Sequence, residues 1–140
     1  MIFTINSPKY GEKEILIDDE DYNKIKDFKW CILKNSKETN APFYVATREK
    51  RENKITTLYL HRFIMNCPDN KQVDHVNCNA LDNRKQNLRI CNQSENSKNQ
   101  RIRKSNSSGY KGVHWAKKEN KWVVQIRING VKTRIGRSEN

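Results

Sequence analysis

VDHVNCNALDNRKQNLRICNQSEN, residues 73–96, is the stretch on which the fold turns. Residues 73–76, with a β-branched Val at each end, read as a short strand. Residues 77–87 are polar and rich in Asn. That is loop composition, because Asn and Asp side chains bond to neighbouring backbone and tolerate left-handed conformations. NLRIC, residues 87–91, reads as a second short strand. Asn92 or Ser94 then stands where a helix N-cap would, opening a helix expected to continue through Asn99 and Arg103. The order is strand, long loop, strand, helix.

Within this stretch Asp74 precedes His75, Asn87 lies twelve residues after His75, and Asn96 lies nine beyond Asn87. A hard divalent cation takes oxygen ligands such as carboxylates and amide carbonyls. Asp74 and Asn96 supply one of each if the helix folds back across the hairpin. The imidazole of His75 would take a proton from water near that ion. These are the parts of metal-assisted phosphodiester hydrolysis. Alternation along a strand sends Asp74 and His75 to opposite faces, so both serve one site only where the strand twists or ends. By itself, an Asp-His pair is more often structural.

The run at 73–96 resembles the HNH nuclease motif, in the His-Asn-Asn form common among phage and intron-type endonucleases. IDDEDYNKIKDFKW (residues 17–30) and LYLHRFIMN (residues 58–66) are similar to the region that accompanies this motif in phage homing-type endonucleases. The resemblance implies an α+β protein with a ββα-metal nuclease fold. A hairpin with a helix packed across it would pinch one Mg²⁺ or Mn²⁺ ion. Carried over residue by residue, the catalytic residues are His75, as general base, and Asn87, as the brace of the loop that orients it. The metal ligands are Asp74 and Asn96. The products would carry 5′-phosphate and 3′-hydroxyl ends. Many members place His at the third motif position, so the neutral Asn96 implies weak metal affinity without DNA. Asp82 and Asn83 are expected to shape the loop. His61, on the apolar LHRFIM stretch, is expected to pack or make a buried hydrogen bond. No zinc is expected, because Cys67, Cys78 and Cys91 are separated by ten and twelve residues, unlike a zinc knuckle.

Upstream, residues 15–17 are strand-like, and Asp18 or Asp19 sits at a helix N-cap with acids in the following turn. Tyr22, Ile25 and Phe28 recur at three-residue spacing and predict one apolar helix face. PFYVATRE (residues 42–49) and ITTLYL (residues 55–60) read as strands, with KRENK (residues 50–54) as the loop between them. LHRFIMN, residues 60–66, is a short helical or extended apolar piece.

The 140 residues carry a net charge of +12, and it is unevenly spread. After Asn96 there are 12 basic and 2 acidic residues, against 16 and 14 before it. Such a concentration is the footprint of a phosphate-backbone binder. SNSSG, residues 105–109, reads as a linker. Beyond it, YKGVHWA (residues 110–116), KWVVQIRI (residues 121–128) and VKTRIG (residues 131–136) read as three strands, with Asn129-Gly130 as a tight hairpin turn. Alternation puts Trp122, Val124, Ile126 and Ile128 on one face, and Val123, Gln125 and Arg127 on the other. On the returning strand Lys132 and Arg134 oppose Val131, Thr133 and Ile135. One face is thus apolar and the other basic.

SGYKGVHWAKKENKWVVQIRINGVKTRIG, residues 108–136, resembles the three-stranded sheet of the plant ethylene-response-factor (APETALA-type) DNA-binding domain. By matched position, Lys111, His114, Gln125, Arg127, Lys132 and Arg134 would face DNA. The amphipathic helix that follows in that family is expected to be missing, so the domain reads as truncated.

The expected division is an N-terminal α+β region at 1–66, the nuclease motif at 67–104, the linker at 105–109 and a C-terminal three-stranded antiparallel sheet at 110–140. No apolar run approaches the ~20 residues of a membrane span. No signal peptide stands at the start, and the four cysteines read as reduced thiols. Double-stranded DNA is the expected partner, with no membrane and no small-molecule cofactor. The setting implied by resemblance is the cytoplasm of a bacterial host, for a phage or mobile-element protein. The competing reading is a non-catalytic, sequence-specific DNA-binding protein with a degenerate nuclease motif. RNA binding ranks last, because aromatic platforms would be needed on the basic face.

Overall fold

The computed structural model describes residues 1–34, 41–51, 54–100, 102, 105–128 and 130–138, with the side chain of Arg51 set aside. Two compact units result, Met1–Gln100 and Arg101–Asn140.

The first unit opens with an antiparallel hairpin of β1 (Ile2–Ser7) and β2 (Gly11–Leu16), in register from Ile2 opposite Leu16 to Ser7 opposite Gly11. Helix α1 (Asp19–Ile25) follows. Ile25 is buried, but Tyr22 is exposed and Phe28 lies past the helix end, packed edge-on against Phe63 at 5.1 Å. The place on the buried face given to Tyr22 by spacing is taken instead by Asp21, which is wholly buried. A buried carboxylate needs partners. Lys24 supplies one at 2.6 Å and Lys85 another at 3.2 Å.

β3 (Cys31–Lys34), β4 (Phe43–Arg51) and β5 (Lys54–Tyr59) form an antiparallel sheet with β4 central. Neither β1 nor β3 was expected from the sequence. The strands β4 and β5 continue into the KRENK stretch, of which Glu52 and Asn53 lie outside the described residues. α2 (Leu60–Ile64) resolves the LHRFIMN stretch as a helix burying Leu60, His61 and Ile64.

β6 (Gln72–His75) pairs antiparallel with β7 (Leu88–Cys91), and a single 3-10 turn at Lys85–Asn87 closes the loop between them. α3 (Gln93–Asn99) begins with a capping box. Asn92 Oδ1 accepts from the Glu95 N–H at 2.9 Å, and Glu95 returns the bond to the Asn92 N–H at 2.8 Å. The helix stops at Asn99, short of Arg103, which lies outside the described residues. One hydrophobic cluster joins Ile15, Ile17, Ile25, Ile32, Val45, Leu60 and Ile64 with Val73 and Leu88 of the β6–β7 hairpin. The N-terminal elements and the hairpin therefore share a core. Among the described residues no helix is long and apolar enough to cross a membrane.

The second unit is a three-stranded antiparallel sheet of β8 (Val113–Ala116), β9 (Lys121–Ile128) and β10 (Val131–Ser138), with β9 central. Asn129 of the expected turn lies outside the described residues, while Gly130 has φ +81°. β10 runs two residues past Gly136, after a bulge between Arg134 and Gly136 that leaves Ile135 unpaired. Gly112 has φ +78°, and a Cβ there would lie 2.4 Å from the Gln125 carbonyl oxygen. The Gly112 carbonyl also accepts from the Gln125 N–H at 2.8 Å. The glycine of YKGV is thus required by a backbone crossing β9. Trp115 and Trp122 meet edge-on across the β8–β9 pair at 5.3 Å.

The expected apolar and basic faces follow from the register, but burial does not follow polarity. Val123, wholly buried, lies on the basic face between His114 and Arg137. On the apolar face Ile126, Ile128 and Val131 are exposed.

Candidate active site

The β6 strand ends at His75, and its last two side chains part as alternation dictates. Asp74, 8% exposed, turns to the β7 partner opposite it and to α3. Arg89 donates to Asp74 Oδ2 from Nε at 3.0 Å and from Nη2 at 2.7 Å. Asn99 Nδ2 donates to Asp74 Oδ1 at 3.1 Å and to the His75 carbonyl at 3.0 Å. The carboxylate in turn holds the Arg89 guanidinium above its ordinary value.

His75, 6% exposed, turns toward α2 and β4. Its ring meets the His61 ring edge-on at 5.0 Å and lies 6.4 Å from Tyr44. Nε2 faces Asn83 Oδ1 at 3.4 Å. An amide oxygen only accepts, so this contact is a hydrogen bond in the tautomer that carries the hydrogen on Nε2 and the lone pair on Nδ1. Burial pushes the His75 pKa below its usual value, against the Asn83 contact and the charges of Asp74 and Asp82, which favour the cation. Burial therefore favours the neutral imidazole. His61 is pushed further, to about 3, chiefly by burial and then by the nearby His75 and Arg62. Tyr44, packed among Tyr59, His61 and His75, is raised by burial and by Tyr59 and Asp74.

Asn87 spans the loop. Its Oδ1 accepts from the Asn77 N–H at 3.0 Å and its Nδ2 donates to the Asp82 carbonyl at 2.8 Å. Asp82 and Asn83 do shape the loop, and they do so against the N-terminal hairpin. The Asn83 N–H donates to the Leu16 carbonyl at 2.7 Å, and the Leu16 N–H donates to Leu81 at 3.0 Å. Arg84 clamps the Asp82 carboxylate with two bonds of 2.8 Å and holds it below the usual carboxylate range. Asp18, at the N-cap position of α1, spends its carboxylate on the Lys85 N–H at 2.8 Å rather than on its own helix. Replacing Asn87 by Ala leaves the Asn77 N–H and the Asp82 carbonyl without partners. A loss of about 2–3 kcal/mol in folding stability is expected, measurable by urea unfolding.

Asn96 does not reach Asp74. Its Nδ2 donates to Gln72 Oε1 at 2.7 Å, two residues back on the same face of β6, and Gln72 is also bonded to Gln93. Asn99, one turn further along α3, is the amide beside the carboxylate. Sequence reading passed over Asn99, Arg89 and Tyr44. The i, i+3 spacing of Asn96 and Asn99 on one helix face was the signal available for the first. His61 was expected to pack, and it packs on His75 itself.

Among the described residues no three His, Cys, Asp or Glu side chains gather as a metal cluster. The donors that meet at the hairpin and α3 are the Asp74 carboxylate and the Asn99 amide, while Asn96 stands one helical turn away on Gln72. Carboxylate and amide make an oxygen set suited to a hard cation once the amide presents its carbonyl. All four cysteines are free, with Cys91 buried and Cys78 bonded to the Asn99 carbonyl at 3.4 Å.

Residues 59–98 match the family model described as HNH endonuclease. That window runs from the end of β5 through most of α3 and holds His61, Asp74, His75, Asn87, Arg89 and Asn96. The HNH match includes the hairpin, the loop and the capped helix, while Asn99 falls just beyond it. The chain is also 36% identical over 63 residues to "Protein 3.8" of Escherichia phage T7, covering 45% of this chain and 52% of that protein. It thus spans about half the length of this curated phage relative. No solved structure matches it.

On the second unit, His114, Gln125, Arg127, Lys132 and Arg134 share one face by register, and Lys111 lies in the turn before β8. Some of these side chains are already engaged. Arg134 pairs with Glu119 at 2.6 Å, and Arg127 donates to the Gly130 carbonyl at 2.8 Å. Arg137, which the sequence reading left out, joins the same face through the bulge.

Proposed function

We propose that this chain is a metal-dependent DNA endonuclease of the HNH homing type, which hydrolyses a phosphodiester bond with a His75-activated water. The observation that carries the reading is the buried His75 at the end of β6, next in sequence to an Asp74 carboxylate met by the Asn99 amide of α3, with both β6 residues inside the segment that matches the HNH endonucleases.

His75 accepts the proton of the attacking water at Nδ1 while Nε2–H stays on Asn83. Asn87 keeps the loop, and with it Asn83, in place. Asp74 and Asn99 would hold one Mg²⁺ or Mn²⁺ ion, with Asn96 joining them only if it leaves Gln72. When bound, such an ion supplies charge stabilisation to the phosphate and to the departing 3′ oxygen. The second unit is proposed as the APETALA-like double-stranded DNA-binding sheet, with Lys111, His114, Gln125, Arg127, Lys132 and Arg134 turned to the duplex. The proposed setting is the cytoplasm of a bacterial host.

The test is supercoiled plasmid and a random-sequence library, each incubated with Mg²⁺ or Mn²⁺ and with EDTA. Open-circle or linear product that requires the ion is expected. DNA shifted in a gel but uncut across the library would sink the nuclease reading and leave a DNA-binding protein.

A further inference from the structure

We propose that Arg89 is a resident counter-charge for Asp74, a placeholder that a divalent cation must displace. The inference rests on the reading of Asp74 as a metal ligand and deepens it. Both bonds from Arg89 fall on one oxygen, Oδ2, while Oδ1 is met by the amide of Asn99. The Asp74 side chain is 9% exposed and that of Arg89 is 47% exposed. A carboxylate so buried needs a compensating charge in every state. A guanidinium at 2.7 Å already supplies it, and its charge opposes a second cation at the same oxygen. The guanidinium end of the pair is half-exposed, so it can swing away once another cation takes over the charge that Asp74 needs. Asn99 has no charge to repel the ion, and turning its amide exchanges donor for carbonyl oxygen.

Once off Asp74, the Arg89 fork is free beside the site, with the geometry that grips a phosphate in two places. DNA phosphate drawing Arg89 away would raise metal affinity, and metal would reciprocally favour DNA. The weak metal binding expected of an Asn-containing site then has a second, removable cause.

The test is Mn²⁺ binding to the full chain without DNA, followed by electron paramagnetic resonance, for wild type, Arg89→Met and Asp74→Asn. Arg89→Met is expected to bind Mn²⁺ about tenfold more tightly, the effect of one like charge removed from a half-exposed setting. Asp74→Asn is expected to lose the site. Binding lost in Asp74→Asn but unchanged or weaker in Arg89→Met overturns the placeholder while sparing the metal reading. Binding unaffected by Asp74→Asn overturns both. Should Arg89→Met fail to fold, wild type titrated with Mg²⁺ gives the same answer through the Arg89 Nε–H resonance. That signal should move as the ion pair opens, and its invariance at saturating Mg²⁺ would refute the exchange.

Discussion

Ion-dependent cleavage by His75→Ala should fall roughly 10²–10⁴-fold below wild type, the usual contribution of a positioned proton acceptor. The loss should appear in the single-turnover rate, with DNA affinity little changed, because the basic charge lies in other residues. The pH profile of wild type should carry the signature. A base works only when neutral, so the rate falls as pH drops through the pKa of His75. Burial places that pKa below the ordinary 6.5. The rising limb is therefore expected on the acid side of 6.5, with a plateau by about pH 7, rather than across pH 6 to 8 as an unperturbed histidine would give. A limb centred above pH 7 with chemistry rate-limiting, or cleavage by His75→Ala within tenfold of wild type, would remove His75 from the role.

The second large effect is on stability in acid, and His61 carries it. This histidine is 8% exposed, and its Nδ1 finds no hydrogen-bond partner among the described residues. Its folded pKa of about 3 lies below the ordinary 6.5 of an unfolded chain. Between those values the unfolded chain binds the proton and the folded one does not, so stability rises with pH through this window. The contribution is complete above pH 6.5 and about 2 kcal/mol smaller at pH 5. His75 adds a slope of the same sign. Thermal melts from pH 7.5 to 5 should show this decline, and His61→Phe, which keeps a ring against His75 without the unpaired nitrogen, should flatten it. A variant that declines as steeply as wild type would show that the acid sensitivity lies elsewhere. Cleavage by His61→Phe, followed alongside, reports whether the ring contact at 5.0 Å also holds His75 in place.

Much of this protein was legible along the chain. The β6–β7 hairpin, its Asn-rich loop and the capped start of α3 follow from short apolar runs, turn chemistry and the cap residues Asn92 or Ser94, all of which act within a few residues. The two faces of the C-terminal sheet follow from the same two-residue period, and the charge excess after Asn96 needs only counting. β1 and β3 were missed because their burial comes from distant partners: Phe3 and Ile5 are half-buried and Ile32 is buried against one shared core.

The site itself was settled by packing. Asn99 meets Asp74 and Asn96 meets Gln72 because of how far α3 slides along β6, a matter of one helical turn that no local spacing sets. Arg89 faces Asp74 through the strand register, which depends on a long loop held in shape by β2 and Asp18 from the far end of the unit. His61 reaches His75 because α2 and the hairpin bury Leu60, Ile64, Val73 and Leu88 in one cluster. Side-chain direction repeats every two residues in a strand and every 3.6 in a helix, and that period can be read from the chain. The distance between two segments is decided only when their apolar faces close on a common core, and the chemistry of this site lies in such distances.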